Sequence, residues 1–240
     1  MEPFGRGDNR AMNFLGTGIY PLPLAARLAG ADVRKVRRWL LGYEWRKGDK
    51  TQHSDPLWPT QYADEELAQP HIGFQDLLEL RMVAAFARHG VSLVTIRATA
   101  DAARDILKSD YPLTARRFLT DGRRIFLDAI ASTGEPRMED VTRRQYVFRN
   151  IITPSLYAGI EYEHDQAKRW FPLGKGKKTI VLDPAIQFGT PVVRSAGVPT
   201  DTLYASYLSE GEDAARVARL FEIKAAEVVD AVAFERQYAH

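Results

Sequence analysis

Hydrophobic positions recur at two different periods along the chain, and the change from one to the other outlines its elements. From Tyr20 to Gly42 they follow the helical repeat in two short runs. The first carries Leu24, Ala25 and Leu28 inward, Gly30 opens a turn, and Asp32 is placed to cap the second. In that second run Val33, Val36, Trp39 and Leu40 share one face, with Arg34, Lys35, Arg37 and Arg38 on the rest of the helix. Tyr43, Glu44 and Trp45 then lead into a polar tip from Arg46 to Asp55, which predicts a β-hairpin before Leu57 and Trp58.

Residues 73–89 are apolar on nearly every side of a helix, through Phe74, Leu77, Leu78, Leu80, Met82, Val83 and Phe86, so that helix has to be covered on more than one face. Gly90 ends it and Ser92 caps the next, where Leu93, Ile96, Ala100, Ala103 and Leu107 form a short seam. The spacing leaves open whether the preceding helix or a second copy of the chain covers this seam. Tyr111-Pro112 is expected to stop the helix. Beyond it the period becomes alternating. Thr120-Asp121-Gly122-Arg123 reads as a hairpin turn between Phe118-Leu119 and Ile125-Phe126-Leu127. A second strand pair is expected from Ile160 and Tyr162 with Ile180 and Leu182, across a turn at 174–177.

After Asp183, Pro184, Pro191 and Pro199 punctuate an extended stretch before three helices. Thr200 or Asp201 is placed to cap the first, with Leu203, Tyr204, Tyr207 and Leu208 and a stop at Gly211. The second carries Ala215, Val217 and Ala218, and the third Val228, Val229 and Val232. The fold class expected is mainly α with small β elements (α+β). Its parts are a flexible arm over 1–18, a winged helix-turn-helix with two following helices over 19–112, a β-rich connector over 113–178, and a C-terminal three-helix domain over 179–240.

With 45% hydrophobic and 27% charged residues in 240, composition is that of a folded chain rather than a disordered one. The absence of cysteine excludes disulfides, thiolate metal sites and thiol nucleophiles. No apolar run reaches the length of a membrane span and the N-terminus lacks a signal-peptide core, so a cytoplasmic address is expected, with no membrane partner. A net charge of +2 hides a local asymmetry. Arg34, Lys35, Arg37 and Arg38, with Arg46, Lys47 and Lys50 of the hairpin, make a basic surface suited to phosphates and base edges of double-stranded DNA. The last three helices instead place Glu212, Asp213, Glu222, Glu227, Asp230 and Glu235 outward, the wrong sign for a phosphate surface, which points to protein contact.

Catalytic chemistry is not indicated. His53, His71, His89, His164 and His240 stand singly, so no metal and no cofactor is expected. The acidic stretch Glu161 to Asp165 alternates with apolar residues as the wet face of a strand would, and the Gly-Lys run at 174–177 lacks the phosphate-loop spacing. An enzymatic reading would have to rest on Glu163 and Asp165.

The basic helix-turn-helix from Leu22 to Gly42, the hairpin after it and the segment GVSLVTIR from Gly90 to Arg97 resemble the MerR-like winged-helix regulators. The resemblance covers about the first 110 residues and implies a DNA-binding homodimer on an inverted-repeat operator. The usual long dimerisation helix and cysteine-bearing metal loop are absent. A second resemblance lies in Asp183-Pro184, Ile186, Phe188-Gly189, Pro191-Val192-Val193, Val198-Pro199-Thr200, Leu203, Gly211, Val217-Ala218, Phe221 and Glu227-Val228, which match a small domain of uncharacterised role found beside PIN-type toxins. Its short members usually carry arginine just before the Val-Pro step, where this chain has Gly197. Together the two halves resemble the larger, VapB-like antitoxins of VapBC-type toxin-antitoxin pairs. That implies repression of the chain's own operon and neutralisation of a PIN-type ribonuclease toxin. The cations near the C-terminal domain that such a role would draw on are Arg169, Lys175, Lys177, Lys178 and Arg194. The alternative is a stand-alone MerR-like dimeric regulator without a toxin.

Overall fold

A computed structural model describes residues 16–63, 69–133, 157–174 and 176–238. The arm expected over 1–18 falls mostly outside them, as do Lys175 and His240. The fold is mainly α with small antiparallel sheets.

Strand β1 (Tyr20–Pro21) leads into α1 (Leu22–Ala29), where Pro23 sits in the first turn and Ala25 and Ala26 are buried. Gly30 ends α1 at φ 65°, the left-handed conformation glycine adopts without strain, and Asp32 starts α2 (Val33–Leu41) by accepting from the backbone N–H of Arg34 and Lys35. Val36, Trp39 and Leu40 are buried as their spacing predicts, but Val33 at 41% exposure lies at the edge of that face. Strands β2 (Tyr43–Lys47) and β3 (Lys50–Ser54) pair antiparallel from Tyr43–Ser54 to Lys47–Lys50, so the tip is only Gly48-Asp49.

Strand β4 (His71–Ile72) pairs with β1 and hands the chain to the central helix α3 (Phe74–Arg88), which is buried almost all round. Ser92 caps α4 (Leu93–Leu107) by accepting from the Thr95 N–H. This helix stops before Tyr111-Pro112, at a left-handed Lys108. Ile96, Ala100, Ala103 and Leu107 are buried, and the element packed along α4 is one that the sequence signals misidentify. Residues expected as a hairpin form helix α5 (Phe118–Thr133). Phe118, Gly122, Ile125, Phe126, Ala129 and Ile130 are buried at helical spacing, and Gly122 is not in the left-handed region a tight hairpin turn needs. Its missing side chain makes room for the Phe118 ring, 2.7 Å from where a Cβ would stand.

Strand β5 (Ile160–Glu163) pairs with β6 (Gln166–Trp170) across a tight turn, not with the strand at Ile180 as expected. Among the described residues the backbone pairing with that later segment is an isolated bridge from Trp170 to Leu182. Strands β7 (Ile180–Val181), β8 (Val192–Val193) and β9 (Val198–Pro199) form a three-stranded sheet. Helices α6 (Thr200–Ser209), α7 (Ala214–Leu220) and α8 (Ala225–Tyr238) complete the chain. Pro199 precedes α6, and neither predicted cap serves it: Thr200 is turned inward, its Oγ1 bonding the Pro191 carbonyl and Glu235, while the Asp201 carboxylate accepts from the adjacent Thr202 N–H. On α8 the buried positions are Val228, Ala231, Val232 and Phe234, and Val229 faces out.

Candidate nucleic-acid interface

On α2, burying Val36, Trp39 and Leu40 forces Arg34, Lys35, Arg37 and Arg38 outward, because residues three and four apart share a face. All four are exposed, as are Arg46, Lys47 and Lys50 of the hairpin. Among the described residues no carboxylate lies within ion-pair distance of any of the seven. That is a concentration of uncompensated charge on two consecutive elements.

The hairpin register divides its three cations. Lys47 and Lys50 are cross-strand partners and share the face of Tyr43 and Trp45, whereas Arg46 projects from the opposite face with Glu44. Tyr43 and Trp45 are both exposed and lie 5.2 Å apart between ring centroids. Arg38 reaches over the Tyr43 ring at 5.4 Å, so the last turn of α2 and the first residues of β2 form one contact. Arg97 of α4 fixes the other end, donating from Nη1 to the Pro56 carbonyl and from Nη2 to the Asp55 carbonyl, each at 2.7 Å. Between hairpin and α4 is a groove of about 280 Å³ bordered by Arg38, Tyr43, Trp45, Val94 and Arg97. Sequence reasoning missed this clamp; the aromatics at i and i+2 in β2 were its only local signal. Leu41, 44% exposed, adds an apolar contact to the outer face of α2.

The C-terminal cations are less free than expected. Arg169 lies 3.5 Å from Glu161 and 3.4 Å from Asp183, Lys177 pairs with Asp230 at 2.9 Å, and Lys178 with Glu161 at 2.6 Å. The Lys178 hydrogen bond holds the Glu161 carboxyl below the usual carboxylate range. Arg194 lies near the Phe171 ring, 5.7 Å from its centroid. The supposed acidic outer face is likewise occupied in part by internal bonding. Asp213 caps α7, Glu227 accepts from the Lys224 N–H, Glu212 pairs with Arg236, and Asp230 and Glu235 bond Thr179 and Thr200. Acidic side chains here act first as caps and braces, a role that sequence alone does not separate from a solvated face. In the acidic stretch of β5 and its turn, Glu163 pairs with Lys168 and Asp165 with Arg117. Among the described residues no cluster of three or more His, Asp or Glu is arranged to hold a metal ion, and no helix is long and apolar enough to cross a membrane.

Residues 180–234 match the family model described as "Protein of unknown function (DUF433)". The region includes β7 to β9 and most of the three-helix segment. The chain is 26% identical over 203 residues to "Putative antitoxin VapB45" of Mycobacterium tuberculosis strain H37Rv, a similarity spanning 80% of this chain and 83% of that protein. The crystal structure of Rv2018 from the same organism superposes with a TM-score of 0.62 at 19% identity, covering 89% of this chain and 96% of the other. At that identity the superposition speaks for the fold.

Proposed function

We propose that this chain is an antitoxin that binds DNA as a homodimer, represses its own operon and neutralises a PIN-type ribonuclease toxin. The observation that carries the DNA-binding half is the set of seven exposed, unpaired cations on α2 and the β2–β3 hairpin. In this reading α2 enters the major groove, where Arg34 and Arg38 read base edges and Leu41 meets a thymine methyl. The hairpin acts as a wing whose Lys47 and Lys50 contact the phosphate backbone, which sets position rather than sequence. Two copies bind an inverted repeat with half-sites about one helical turn apart.

The antitoxin half is supported by the 26% identity to "Putative antitoxin VapB45" along most of both chains and by the DUF433 match. PIN-type ribonucleases gather acidic residues around a metal ion, and a cationic side chain of the C-terminal region competes there. Lys177 and Lys178 suit this role because their own side chains are exposed, and the Lys178–Glu161 pair in particular lies where solvent screens it.

The test is binding of the purified chain to DNA from upstream of its own gene. Arg34→Ala and Arg38→Ala are each expected to weaken operator binding by about 1 to 3 kcal/mol, with sequence preference relaxed where a base is read. Unchanged affinity in both variants rejects α2 as the reader. Affinity purification from the native cell tests the second half: operator DNA without a co-purifying ribonuclease would favour the stand-alone MerR-like regulator.

A further inference from the structure

Behind the turn from α1 to α2 lies an open cleft of about 710 Å³, which the DNA-binding reading does not use. Arg27 and Asp32 border it from the α1–α2 unit, Arg81 and Arg88 from α3, and Gln237 and Tyr238 from the end of α8. Three arginines thus border one space. The single lining carboxylate, Asp32, already accepts from two backbone N–H groups as the cap of α2. Glu235, whose carboxyl is influenced by Arg27, is bonded by Thr200. Arg88 donates to the Ala29 and Gly30 carbonyls, both at a long 3.3 Å.

Arg81 is the anomaly. It is half-buried and stacks on Trp170 with its guanidinium carbon 3.7 Å from the ring centroid, yet among the described residues it makes no hydrogen bond and no ion pair. A guanidinium carries five donors, and those of Arg81, without a protein acceptor among the described residues, are left to water or a ligand. Burial pulls its pKa down to about 10. Stacking on an indole satisfies the faces of the group and leaves its N–H edge for a ligand.

We propose that this cleft binds a small anion bearing phosphate or carboxylate groups, held in bidentate fashion by Arg81 and flanked by Arg27 and Arg88. The volume falls within the range of small-molecule sites, and paired N–H donors match the oxygens of either group. A rigid duplex is the poorer occupant, because Arg81 sits against Trp170 rather than on an outer surface.

The experiment uses the full chain without DNA, so its outcome is independent of the proposed operator binding. Inorganic pyrophosphate and citrate are titrated separately by calorimetry, in a chloride buffer of matched ionic strength. At least one is expected to bind saturably at one site per chain, and the arm that binds more tightly distinguishes phosphate from carboxylate. Arg81→Met should weaken that binding about tenfold or more, as loss of a charge-assisted bidentate contact does. The same variant should remain folded and melt close to the parent, since Met keeps an apolar stem against Trp170 and the loss of the guanidinium stack is offset by removal of a half-buried charge. Should Arg81→Met fail to fold, Arg27→Gln on the exposed rim carries the test, with weakened binding expected. The proposal is overturned if neither anion binds beyond the chloride control at about 10 mM, well above the usual range for small-ligand sites. It is equally overturned if affinity survives in every variant that folds, or if duplex DNA of arbitrary sequence displaces the bound anion.

Discussion

Two carboxylates on α3 hold segments that have little regular structure of their own. Asp76 accepts from Trp58 Nε1 and from the backbone N–H of Gln61 and Gly73, each at 2.9 Å, and so ties the chain after the hairpin to the start of α3. Asp76→Ala should leave three donors without their acceptor and cost about 3 kcal/mol or more in urea unfolding. A loss within experimental error would mean that water replaces the carboxylate readily. Glu79, a turn further on, accepts from the N–H groups of Leu113 and Thr114 and from the Thr114 hydroxyl. Burial outweighs these bonds and raises its pKa from 4.5 to about 7. The folded state therefore keeps a proton that the unfolded chain releases near pH 4.5. Stability from this group is present below that pH and declines as pH rises towards about 7, by at most ~1.4 kcal/mol per pH unit. Unfolding at pH 5 and pH 8 should show this slope in the parent and a flatter one in Glu79→Gln. An equal slope in both would assign the pH dependence to other groups. Neither carboxylate stands out in the sequence, where each is one polar position on an otherwise apolar helix.

At the scale of elements, legibility depended on whether the deciding signal was local. The turn at Gly30, the caps Asp32 and Ser92 and the buried face of α2 are set by a few neighbouring residues, and each was readable. Helix α5 was not, because Thr120 to Arg123 carries the composition of a turn while its helical period is satisfied only by distant partners. Those partners are the α4 seam and Phe86, whose ring lies 5.4 Å from that of Phe126. Tertiary burial overrode the local preference. Of the candidate interface, the cations were legible from charge and spacing. The Arg38–Tyr43 contact and the Arg97 clamp were not, because each joins different elements. Arg97→Ala removes two charge-assisted bonds to the Asp55 and Pro56 carbonyls and should cost about 1 to 3 kcal/mol of local anchoring. Hydrogen exchange should quicken in β2 and β3 while α3 stays protected. Uniform protection in the variant would show that strand pairing and Leu57–Trp58 burial hold the hairpin without the clamp.

Across the whole molecule, one hydrophobic cluster runs from Tyr20 to Phe234, so the N-terminal helices that carry the basic surface and the C-terminal helices share a core. The Ile19 N–H donates to the Phe188 carbonyl at 2.9 Å, and the Tyr20 hydroxyl, fully buried, donates to the Gly189 carbonyl at 2.8 Å. Arg81 and Tyr238 both meet Trp170, the first over the face of its ring and the second edge-on at 6.4 Å. A change at either end is therefore expected to register at the other, which is the physical condition for the proposed coupling of a C-terminal partner to DNA binding. Tyr20→Phe isolates this point, because it removes one hydroxyl, keeps the ring and leaves the buried Gly189 carbonyl without its donor. The expected loss is about 1 to 3 kcal/mol. If the two ends form a single cooperative unit, near-ultraviolet dichroism and hydrogen exchange in α2 and α8 should report the same lowered unfolding midpoint. Were they independent bodies joined by a tether, the substitution would shift one midpoint and leave the other in place, and coupling through the shared core would have to be given up.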